Sequence, residues 1–204
     1  MDFKLYLITD RTLTPDIAKS VESALKGGCR AIQLREKDMN TKKLLELAQR
    51  LRELTLKYGA RLFINDRLDI AISIDADGIH LGQKSMPLKA VKKLSDKLLI
   101  GVSTHSLKEA LGAENEGADF ITLGPVYETL SKLAYGKPIG VRTFKYIRSK
   151  VKIPVLAIGG IKLHNLKEVM KAGADGVSVI SGLLSSANIK TKTEEYMRLL
   201  YDKN

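Results

Sequence analysis

The sequence predicts a closed α/β barrel, in which eight parallel strands are each followed by a helix, in one domain over residues 1–204. Three observations predict this fold. Short runs rich in β-branched residues alternate with longer stretches of helical apolar spacing along the whole chain. About eight such runs occur, and a degenerate repeat recurs where helices end and strands begin. An open doubly wound sheet is the alternative, since it is built from the same units.

The predicted strands are short and apolar, which is typical of parallel strands buried on both faces. Pro154 stands at the start of the seventh run, where a missing N–H is tolerated. Between the strands the apolar spacing becomes helical, as from Leu44 to Leu54 and from Leu166 to Met170. In chain order the strands are Lys4–Thr9, Ala31–Leu34, Arg61–Ile64, Gly78–Leu81, Leu99–Val102, Phe120–Leu123, Val155–Ile158 and Gly176–Ile180.

The repeat marks the points where a helix ends and a buried strand begins. Gly and Asp favour turns, so each copy predicts a turn that leads into the next strand. Its copies are Gly27-Gly28-Cys29-Arg30-Ala31-Ile32, Asp75-Ala76-Asp77-Gly78-Ile79, Gly117-Ala118-Asp119-Phe120-Ile121 and Gly173-Ala174-Asp175-Gly176-Val177.

Composition excludes several classes of protein. Hydrophobic residues make up 44% of the chain, which excludes intrinsic disorder. No apolar run is long enough to cross a membrane, and Met1 to Lys4 lead into a strand rather than a signal peptide. The single cysteine, Cys29, suits a reducing compartment. We therefore expect a cytoplasmic protein with no membrane partner.

The charge balance points to phosphorylated ligands. The chain has 34 Lys and Arg against 23 Asp and Glu, a net charge of +11, which attracts phosphate in any form. Most of the excess lies in helix-like stretches, as on ordinary solvated helix faces. Aromatic residues are 5% of the chain and no basic stretch is interleaved with them, so we expect small phosphorylated substrates and no nucleic acid. The oligomeric state stays open, with a homodimer as one option.

Glycines follow the last two predicted strands, at the end of the barrel where active sites of this fold lie. Gly159-Gly160 comes after the seventh strand and Ser181-Gly182 after the eighth. Backbone N–H groups and a helix N-terminus can approach a phosphate oxygen closely at such positions. The pattern therefore predicts a monophosphate site, although a Gly-Gly pair can also serve only to make a tight turn.

Basic residues after the second strand predict a second anion site. Arg35 and Lys37 alternate along an extended segment, so they should point together at the mouth of the barrel. The alternative is that they form surface ion pairs with Glu36 or Asp38. Lys132, in the loop after the sixth strand, would either close over the same anion or remain solvated.

Asn65 and Asp66 follow the third strand and have two interpretations. Both residue types cap helices well, so they could start the next helix. A carboxylate facing a phosphate site is otherwise unfavourable unless a cation lies between them. Mg²⁺ suits this role because proteins hold it with one or two carboxylates, substrate phosphates and water.

The three histidines, His80, His105 and His164, lack the spacing of zinc ligands. His80 lies within the fourth strand and is expected in the core, whereas His164 is expected at the surface near a helix start. His105 directly follows the fifth strand and could act as a general base.

Six motifs stand in order along nearly the whole chain. They are Tyr6-Leu7-Ile8-Thr9-Asp10, Gln33-Leu34-Arg35-Glu36-Lys37, Ile64-Asn65-Asp66-Arg67, Asp77-Gly78-Ile79-His80-Leu81-Gly82-Gln83, Gly101-Val102-Ser103-Thr104-His105 and Ala157-Ile158-Gly159-Gly160-Ile161. Each motif alone is weak, but together they resemble the superfamily of thiamine phosphate synthases and TenI-like thiazole tautomerases, whose fold is this barrel.

The resemblance implies a transferase of thiamine biosynthesis that uses Mg²⁺. It would condense hydroxymethylpyrimidine diphosphate with thiazole phosphate or carboxythiazole phosphate, giving thiamine phosphate and pyrophosphate. It further implies that Arg35, Lys37, Lys132 and Ser103 are catalytic and that Asp66 holds Mg²⁺. The implied pyrimidine diphosphate site is Gln33, Leu34, Arg35, Glu36, Lys37, Asn65, Ser103 and Lys132, and the implied thiazole phosphate site is Thr129, Leu130, Ser131, Gly160, Ile180 and Ser181.

The sequence departs from the synthase pattern after Gly82-Gln83, where Lys84-Ser85 replaces the usual acidic pair. Ser85 would then be the second Mg²⁺ ligand but would supply no charge. The loop after the sixth strand also lacks the usual prolines and has Ser131 for a threonine. These departures favour a thiazole tautomerase, which needs no Mg²⁺ and would use His105 as acid and base.

The retained basic and polar residues favour the synthase instead: Arg35, Lys37, Asn65, Asp66 and Lys132. A third hypothesis, of another class, is a non-catalytic barrel that binds thiamine precursors or an acidic partner.

Overall fold

The structure, a computed structural model, describes residues 1–129 and 137–202. Eight parallel strands pair in chain order, and the first strand also pairs with the eighth. The predicted barrel is therefore confirmed, and the open-sheet alternative is wrong because no edge strand remains. The strands are β1 (Leu5–Ile8), β2 (Ala31–Leu34), β3 (Arg61–Asn65), β4 (Gly78–Leu81), β5 (Leu99–Thr104), β6 (Phe120–Leu123), β7 (Val155–Ile158) and β8 (Gly176–Val179).

Helices surround the barrel. In the described residues they are α1 (Ile17–Lys26), α2 (Thr41–Lys57), α3 (Leu68–Ser73), α4 (Leu88–Leu94), α5 (Leu107–Glu116), α6 (Gly140–Arg148), α7 (Leu163–Lys171), α8 (Ser181–Leu184) and α9 (Ile189–Tyr201). α9 packs against both α1 and α7 and so completes the ring. Over this part of the chain, no helix has the length and apolar character needed to span a bilayer.

Polar side chains start four of these helices. Each accepts a hydrogen bond from the backbone N–H three residues further on, which satisfies a donor that the first helical turn leaves without a partner. The capping residues are Asp16, Asn40, Ser106 and Asn188.

Four strands have the predicted bounds, and the other four differ at their ends. β3 continues to Asn65 and β5 to Thr104, because Asn65 pairs with His80 and Thr104 pairs with Leu123. Backbone pairing does not require an apolar side chain, so these polar residues lie within the strands rather than after them. β1 and β8 are shorter than predicted and end at Ile8 and Val179.

Apolar residues form two separate cores. The larger core lies between the sheet and the helices. The smaller one fills the barrel, where Phe3, Tyr6, Phe63 and Phe120 pack together. The Tyr6 and Phe63 rings meet at 5.3 Å and those of Phe63 and Phe120 at 5.4 Å, both edge to face, which is a favourable geometry for aromatic rings.

Aspartates of the repeat join neighbouring strands at the amino-terminal end of the barrel. Asp77, Asp119 and Asp175 each precede an even-numbered strand. Their carboxylates accept the backbone N–H of Leu62, Ile100 and Val155, at 2.8, 2.7 and 2.8 Å. The backbone N–H groups of these aspartates donate in turn to the carbonyl oxygens of Leu62, Ile100 and Val155, respectively. The repeat therefore binds the start of one strand to the start of the next.

The aromatic core should not tolerate a side chain at Gly101 on β5. A Cβ there would lie 2.4 Å from Cζ of Phe120 and 2.6 Å from Nδ1 of His80. We expect Gly101→Ala to lower the free energy of unfolding by about 1 to 3 kcal/mol, because the rings must shift. Urea denaturation measures this change.

Gly112, exposed on α5, is the matched control. A Cβ at this position would meet no atom within 4 Å. Gly112→Ala should therefore raise the free energy of unfolding by about 0.5 to 1 kcal/mol, since alanine favours the helix. Equal effects of the two substitutions would contradict this account of the core.

Candidate active site

Two adjoining cavities open at the carboxyl ends of the strands. The first, named here the Arg35 cavity, has a volume of about 600 Å³ and is lined in part by Gln33, Arg35, Lys37, Asn65, Ser103 and His105. The second, the Gly160 cavity, has a volume of about 570 Å³ and is lined in part by Thr129, Gly159, Gly160, Ser181 and Gly182. Asp10, Ile158 and Ile180 line both, so ligands in the two cavities would meet at these residues.

Arg35 and Lys37 supply the positive charge of the Arg35 cavity. They alternate with Glu36, so both side chains face the cavity, as their spacing predicts. The backbone N–H of Arg35 donates to Oγ1 of Thr9 at 2.9 Å, which ties this segment to the end of β1. Within the described part of the chain neither side chain forms an ion pair, because the neighbouring acids bind Arg11 instead. Their charge is therefore available to an anionic ligand.

Glu36 is 6% exposed and lines neither cavity, although the resemblance places it in the substrate site. Its Oε2 accepts the backbone N–H of Arg11 at 3.1 Å and lies 3.8 Å from Nε of the same residue. Burial raises the pKa of the Glu36 carboxyl above its usual value of 4.5. Glu36 thus joins the loop after β1 to the segment that carries Arg35 and Lys37.

Leu34 also lies away from both cavities. It is 1% exposed and belongs to the core between the sheet and the helices. Its neighbour Gln33 points the other way, into the barrel, and lines the Arg35 cavity. Of the Gln33-to-Lys37 segment, the structure therefore brings three side chains to the cavity: Gln33, Arg35 and Lys37.

Asp66 and Ser85 lie together at the rim of the Arg35 cavity. Oγ of Ser85 donates to Oδ1 of Asp66 and accepts the backbone N–H of Gly82 at 2.6 Å. Nδ2 of Asn65 donates to Oδ2 of Asp66 at 2.8 Å. Asp66 has φ of 60°, a left-handed conformation that is strained for a residue with a side chain. Such strain is common at functional sites, and here it belongs to the residue expected to hold a cation.

The helix-capping alternative for Asn65 and Asp66 does not hold. The cap position of α3 is Arg67, and no side chain caps that helix. Both residues line the Arg35 cavity instead. In residues 1–129 and 137–202, no cluster of three or more His, Cys, Asp or Glu side chains could hold a metal ion. A cation at Asp66 would need further oxygen ligands from hydroxyl groups, water or a substrate.

A hydrogen-bonded chain crosses the barrel beneath the Arg35 cavity. Nε2 of Gln33 donates to Oη of Tyr6 at 3.1 Å, and this oxygen lies 3.4 Å from Nδ1 of His80. Nε2 of His80 lies 3.0 Å from Oγ of Ser103. Burial raises the pKa of Tyr6 well above its usual value of 10, so its hydroxyl stays protonated. The chain fixes Gln33 and Ser103 on opposite sides of the cavity.

His80 is 2% exposed and His164 is exposed, as the sequence predicts. The sequence did not reveal the link from Tyr6 through His80 to the cavity. The signal that could have found it is the alternation of side chains, which points Tyr6, Gln33, His80 and Ser103 into the barrel.

His105 lies at the wall of the Arg35 cavity with a defined orientation. Its Nδ1 is 2.5 Å from the carbonyl oxygen of Gly124. A carbonyl accepts only, so Nδ1 carries a proton and donates it to this oxygen. The backbone N–H of His105 donates to Oε2 of Glu109 at 2.8 Å.

Gly159 and Gly160 form the turn at the Gly160 cavity, and both have positive φ, at 96° and 65°. Their carbonyl groups are held by the protein: the backbone N–H of Tyr127 donates to Gly159 at 3.1 Å, and Nδ2 of Asn165 donates to Gly160 at 3.0 Å. A Cβ at Gly160 would lie 2.6 Å from the carbonyl oxygen of Glu128. The turn therefore requires glycine, and its backbone can approach a ligand closely.

Thr129, Ile180 and Ser181 line the Gly160 cavity with Gly160, where the resemblance places them. The predicted site residues Leu130, Ser131 and Lys132 lie outside the described residues. Residues to which the sequence assigned no role in the site also line the cavities: Asp10 lines both, and Gln83 and Lys84 line the Arg35 cavity.

The fold and the two cavities define the class of protein. A closed barrel of eight βα units, with one cavity lined by Arg35 and Lys37 and another by Gly159 and Gly160, is typical of barrel enzymes that bind phosphorylated substrates at the carboxyl ends of their strands.

Comparison with known proteins gives the family. The sequence model described as thiamine monophosphate synthase matches residues 5–183. This chain belongs to that family, as the six motifs indicate.

Individual relatives match over nearly their full length. A putative thiamine-phosphate synthase from Geobacter sulfurreducens is 47% identical over 203 residues, which cover 98% of this chain and 95% of the relative. The thiamine-phosphate synthase from Pyrococcus horikoshii is 44% identical over 197 residues, 97% of this chain and 94% of the relative. A solved thiamine phosphate pyrophosphorylase from Pyrococcus furiosus superimposes with a TM-score of 0.92 at 42% identity and covers 97% of this chain and 95% of its own.

The raised pKa of Glu36 predicts a pH-dependent effect on stability. Below its unfolded pKa near 4.5 this carboxyl is protonated in both the folded and the unfolded state. As the pH rises through the raised folded pKa, the charge is disfavoured by burial and stability falls. Glu36→Gln removes this cost and can still accept the N–H of Arg11. We expect the variant to gain stability over the wild type between pH 4 and pH 7, measured by thermal unfolding.

The control is Glu53→Gln, at an exposed position on α2. Replacing this exposed side chain should change the melting temperature only slightly. A Glu36→Gln variant whose stability relative to the wild type falls as the pH rises would contradict the role of burial.

Proposed function

We propose that this chain is a thiamine-phosphate synthase, which joins hydroxymethylpyrimidine diphosphate and thiazole phosphate into thiamine phosphate and releases pyrophosphate. The observation that carries the proposal is the pair of adjoining cavities, one with basic side chains and one with a glycine turn. Two anionic substrates need two anion sites, and their reacting atoms need a common boundary. Proteins named thiamine-phosphate synthase that are 44% and 46% identical over 97% and 99% of this chain support the same activity.

The pyrimidine diphosphate is assigned to the Arg35 cavity. Arg35 and Lys37 would bind its phosphate oxygens, with Lys132 closing from the loop after β6. Gln33, Asn65 and Ser103 would orient the pyrimidine, because the hydrogen-bonded chain below the cavity holds two of them in place.

The thiazole phosphate is assigned to the Gly160 cavity. Its phosphate would lie against the backbone of Gly160 and Ser181, and its ring against Ile180. Thr129, Leu130 and Ser131 would complete this site from the loop after β6.

The reaction breaks one bond and forms another at the boundary of the cavities. The C–O bond between the pyrimidine methylene and the diphosphate breaks, and pyrophosphate leaves with the electron pair. The lone pair of the thiazole nitrogen then forms the new C–N bond. Arg35 and Lys37 stabilise the charge that develops on the leaving group, while the two cavities align the reacting atoms.

The residues at the rim fit Mg²⁺. The carboxylate of Asp66 lies in the Arg35 cavity, and the oxygen of Ser85 contacts it, an all-oxygen set beside the proposed diphosphate site. Mg²⁺ commonly takes one or two carboxylates and completes its shell with substrate phosphate and water. Asp66 would hold the ion with Ser85 beside it. When bound, Mg²⁺ supplies positive charge to the leaving pyrophosphate.

The alternative of a thiazole tautomerase leaves Arg35 and Lys37 without a diphosphate to bind, because that reaction involves no diphosphate. Arg35 and Lys37 line this cavity and form no ion pair within the described residues, which favours the synthase. We also propose that the enzyme acts in the cytoplasm, since its lone cysteine suits a reducing compartment.

The direct test is to incubate the purified protein with both substrates, with and without Mg²⁺, and to measure thiamine phosphate by fluorescence after oxidation. We expect product that depends on Mg²⁺. Asp66→Asn should lower the rate about 100-fold or more, because it removes the charge that holds the ion.

Asp96→Asn, at an exposed position between α4 and β5, serves as the control and should keep the wild-type rate. No product from the wild type, with conversion of carboxythiazole phosphate to its tautomer, would identify the tautomerase instead. The next variant would then replace His105.

Ser85 offers a second test of the metal site. Ser85→Asp places another carboxylate beside Asp66, where the two charges repel each other unless a cation lies between them. We expect tighter Mg²⁺ binding, measured by calorimetry, and a larger rise of melting temperature on addition of Mg²⁺ than the wild type shows. Ser85→Ala should show no such gain. Unchanged Mg²⁺ affinity in Ser85→Asp would contradict a cation at Asp66.

A further inference from the structure

Ser178 has a buried hydroxyl group without a hydrogen-bond partner in the described part of the chain. It lies on β8, beside Tyr6 of β1 and Ile158 of β7, and it is 1% exposed. Its strand neighbours Val177 and Val179 belong to the core outside the barrel, so Ser178 points inside. Ser178 is also among the residues that line the Gly160 cavity. The hydroxyl is therefore directed towards the place where a ligand would lie.

Two other buried hydroxyl groups, by contrast, are satisfied. Oγ1 of Thr104 donates to the carbonyl of Thr122 at 3.1 Å, and Oγ1 of Thr55 donates to that of Arg52 at 3.0 Å. The second buried side-chain oxygen without a partner in residues 1–129 and 137–202 is Oε1 of Glu36, whose Oε2 accepts a hydrogen bond from Arg11. Ser178 has a single side-chain oxygen and no such compensation.

The choice of serine costs stability in the free protein. A buried hydroxyl without a partner loses its bonds to water and gains none, whereas alanine would occupy nearly the same space without this loss. A ligand atom that bonds to the hydroxyl would remove the cost when the cavity is filled.

The position of Ser178 defines which part of the ligand it meets. The phosphate is assigned to the turn at Gly160 and the start of α8 at Ser181, and the reacting edge of the ring faces Ile158 at the boundary with the Arg35 cavity. The cavity opens at the carboxyl end of β8, next to Ile180. Ser178 lies two residues earlier in the chain and therefore deeper in the barrel, at the floor of the cavity.

We propose that Oγ of Ser178 donates a hydrogen bond to an acceptor atom on the ring of the heteroaromatic monophosphate, or on a substituent of that ring. Ser178 is then a residue that determines which ring the Gly160 cavity accepts. This inference rests on the proposed function for the identity of the ligand.

The test is Ser178→Ala, with thiazole phosphate and carboxythiazole phosphate as the two probes. We expect KM to rise about 5- to 15-fold for at least one of them, the loss of one hydrogen bond. KM for the pyrimidine diphosphate should stay within about twofold, and the melting temperature without ligand should be unchanged or higher. A rise confined to carboxythiazole phosphate would support the proposal and identify the carboxylate as the acceptor.

Two further variants keep the result clear. Thr55→Val removes a buried hydroxyl on α2, far from both cavities, and should leave every KM unchanged. Ser178→Cys puts a weaker donor on a somewhat larger side chain, and it replaces Ser178→Ala if that variant does not fold. An unchanged KM with a lower melting temperature in the Ser178 variant would overturn the proposal and give Ser178 a structural role.

The wild type is assayed first, so that the two proposals fail separately. Thiamine phosphate from the wild type, with equal KM values in the Ser178 variant, overturns this inference alone. No product from the wild type overturns the proposed function. Calorimetric titration with thiazole phosphate then still tests the contact: weaker binding by Ser178→Ala supports it, and equal binding or none by either protein overturns it.

Discussion

Closure of the parallel sheet is the constraint on which the site depends. Once β1 pairs with β8, each strand side chain points either into the barrel or towards the helices. The alternation places Gln33 inside and Leu34 outside, and it continues past the strand so that Arg35 and Lys37 face the ligand cavity. One backbone geometry thus determines both the core and the binding surface.

In the proposed function the two cavities would bind anions by different means. The Arg35 cavity uses charged side chains, whose flexibility suits a leaving group that changes its charge and position. The Gly160 cavity uses backbone groups of a glycine turn, whose carbonyls are held by Tyr127 and Asn165. A rigid backbone site suits the partner whose ring must stay in one place until the bond forms.

The sequence predicted the order and number of the strands because each is a short apolar run beside a turn signal. It also led to residues that line the two cavities, since active sites of this fold lie at one end of the barrel. It failed where the answer depends on contacts between distant segments. Glu36 looks like a binding residue in its motif, but Arg11 holds it in a buried position. For Asn65 and Asp66 the sequence left helix capping and a cation site open. The structure places both residues at the cavity, where Asp66 bonds to Asn65 and to Ser85.

The aspartates at the amino-terminal end of the barrel also define where the chain can be divided. Asp77 joins β4 to β3, Asp119 joins β6 to β5, and Asp175 joins β8 to β7. A crossover between β4 and β5 keeps each of these contacts within one half of the barrel. Chimaeras that exchange half-barrels between members of the family would therefore preserve all three, while one cut between β3 and β4 would separate Asp77 from its strand partner.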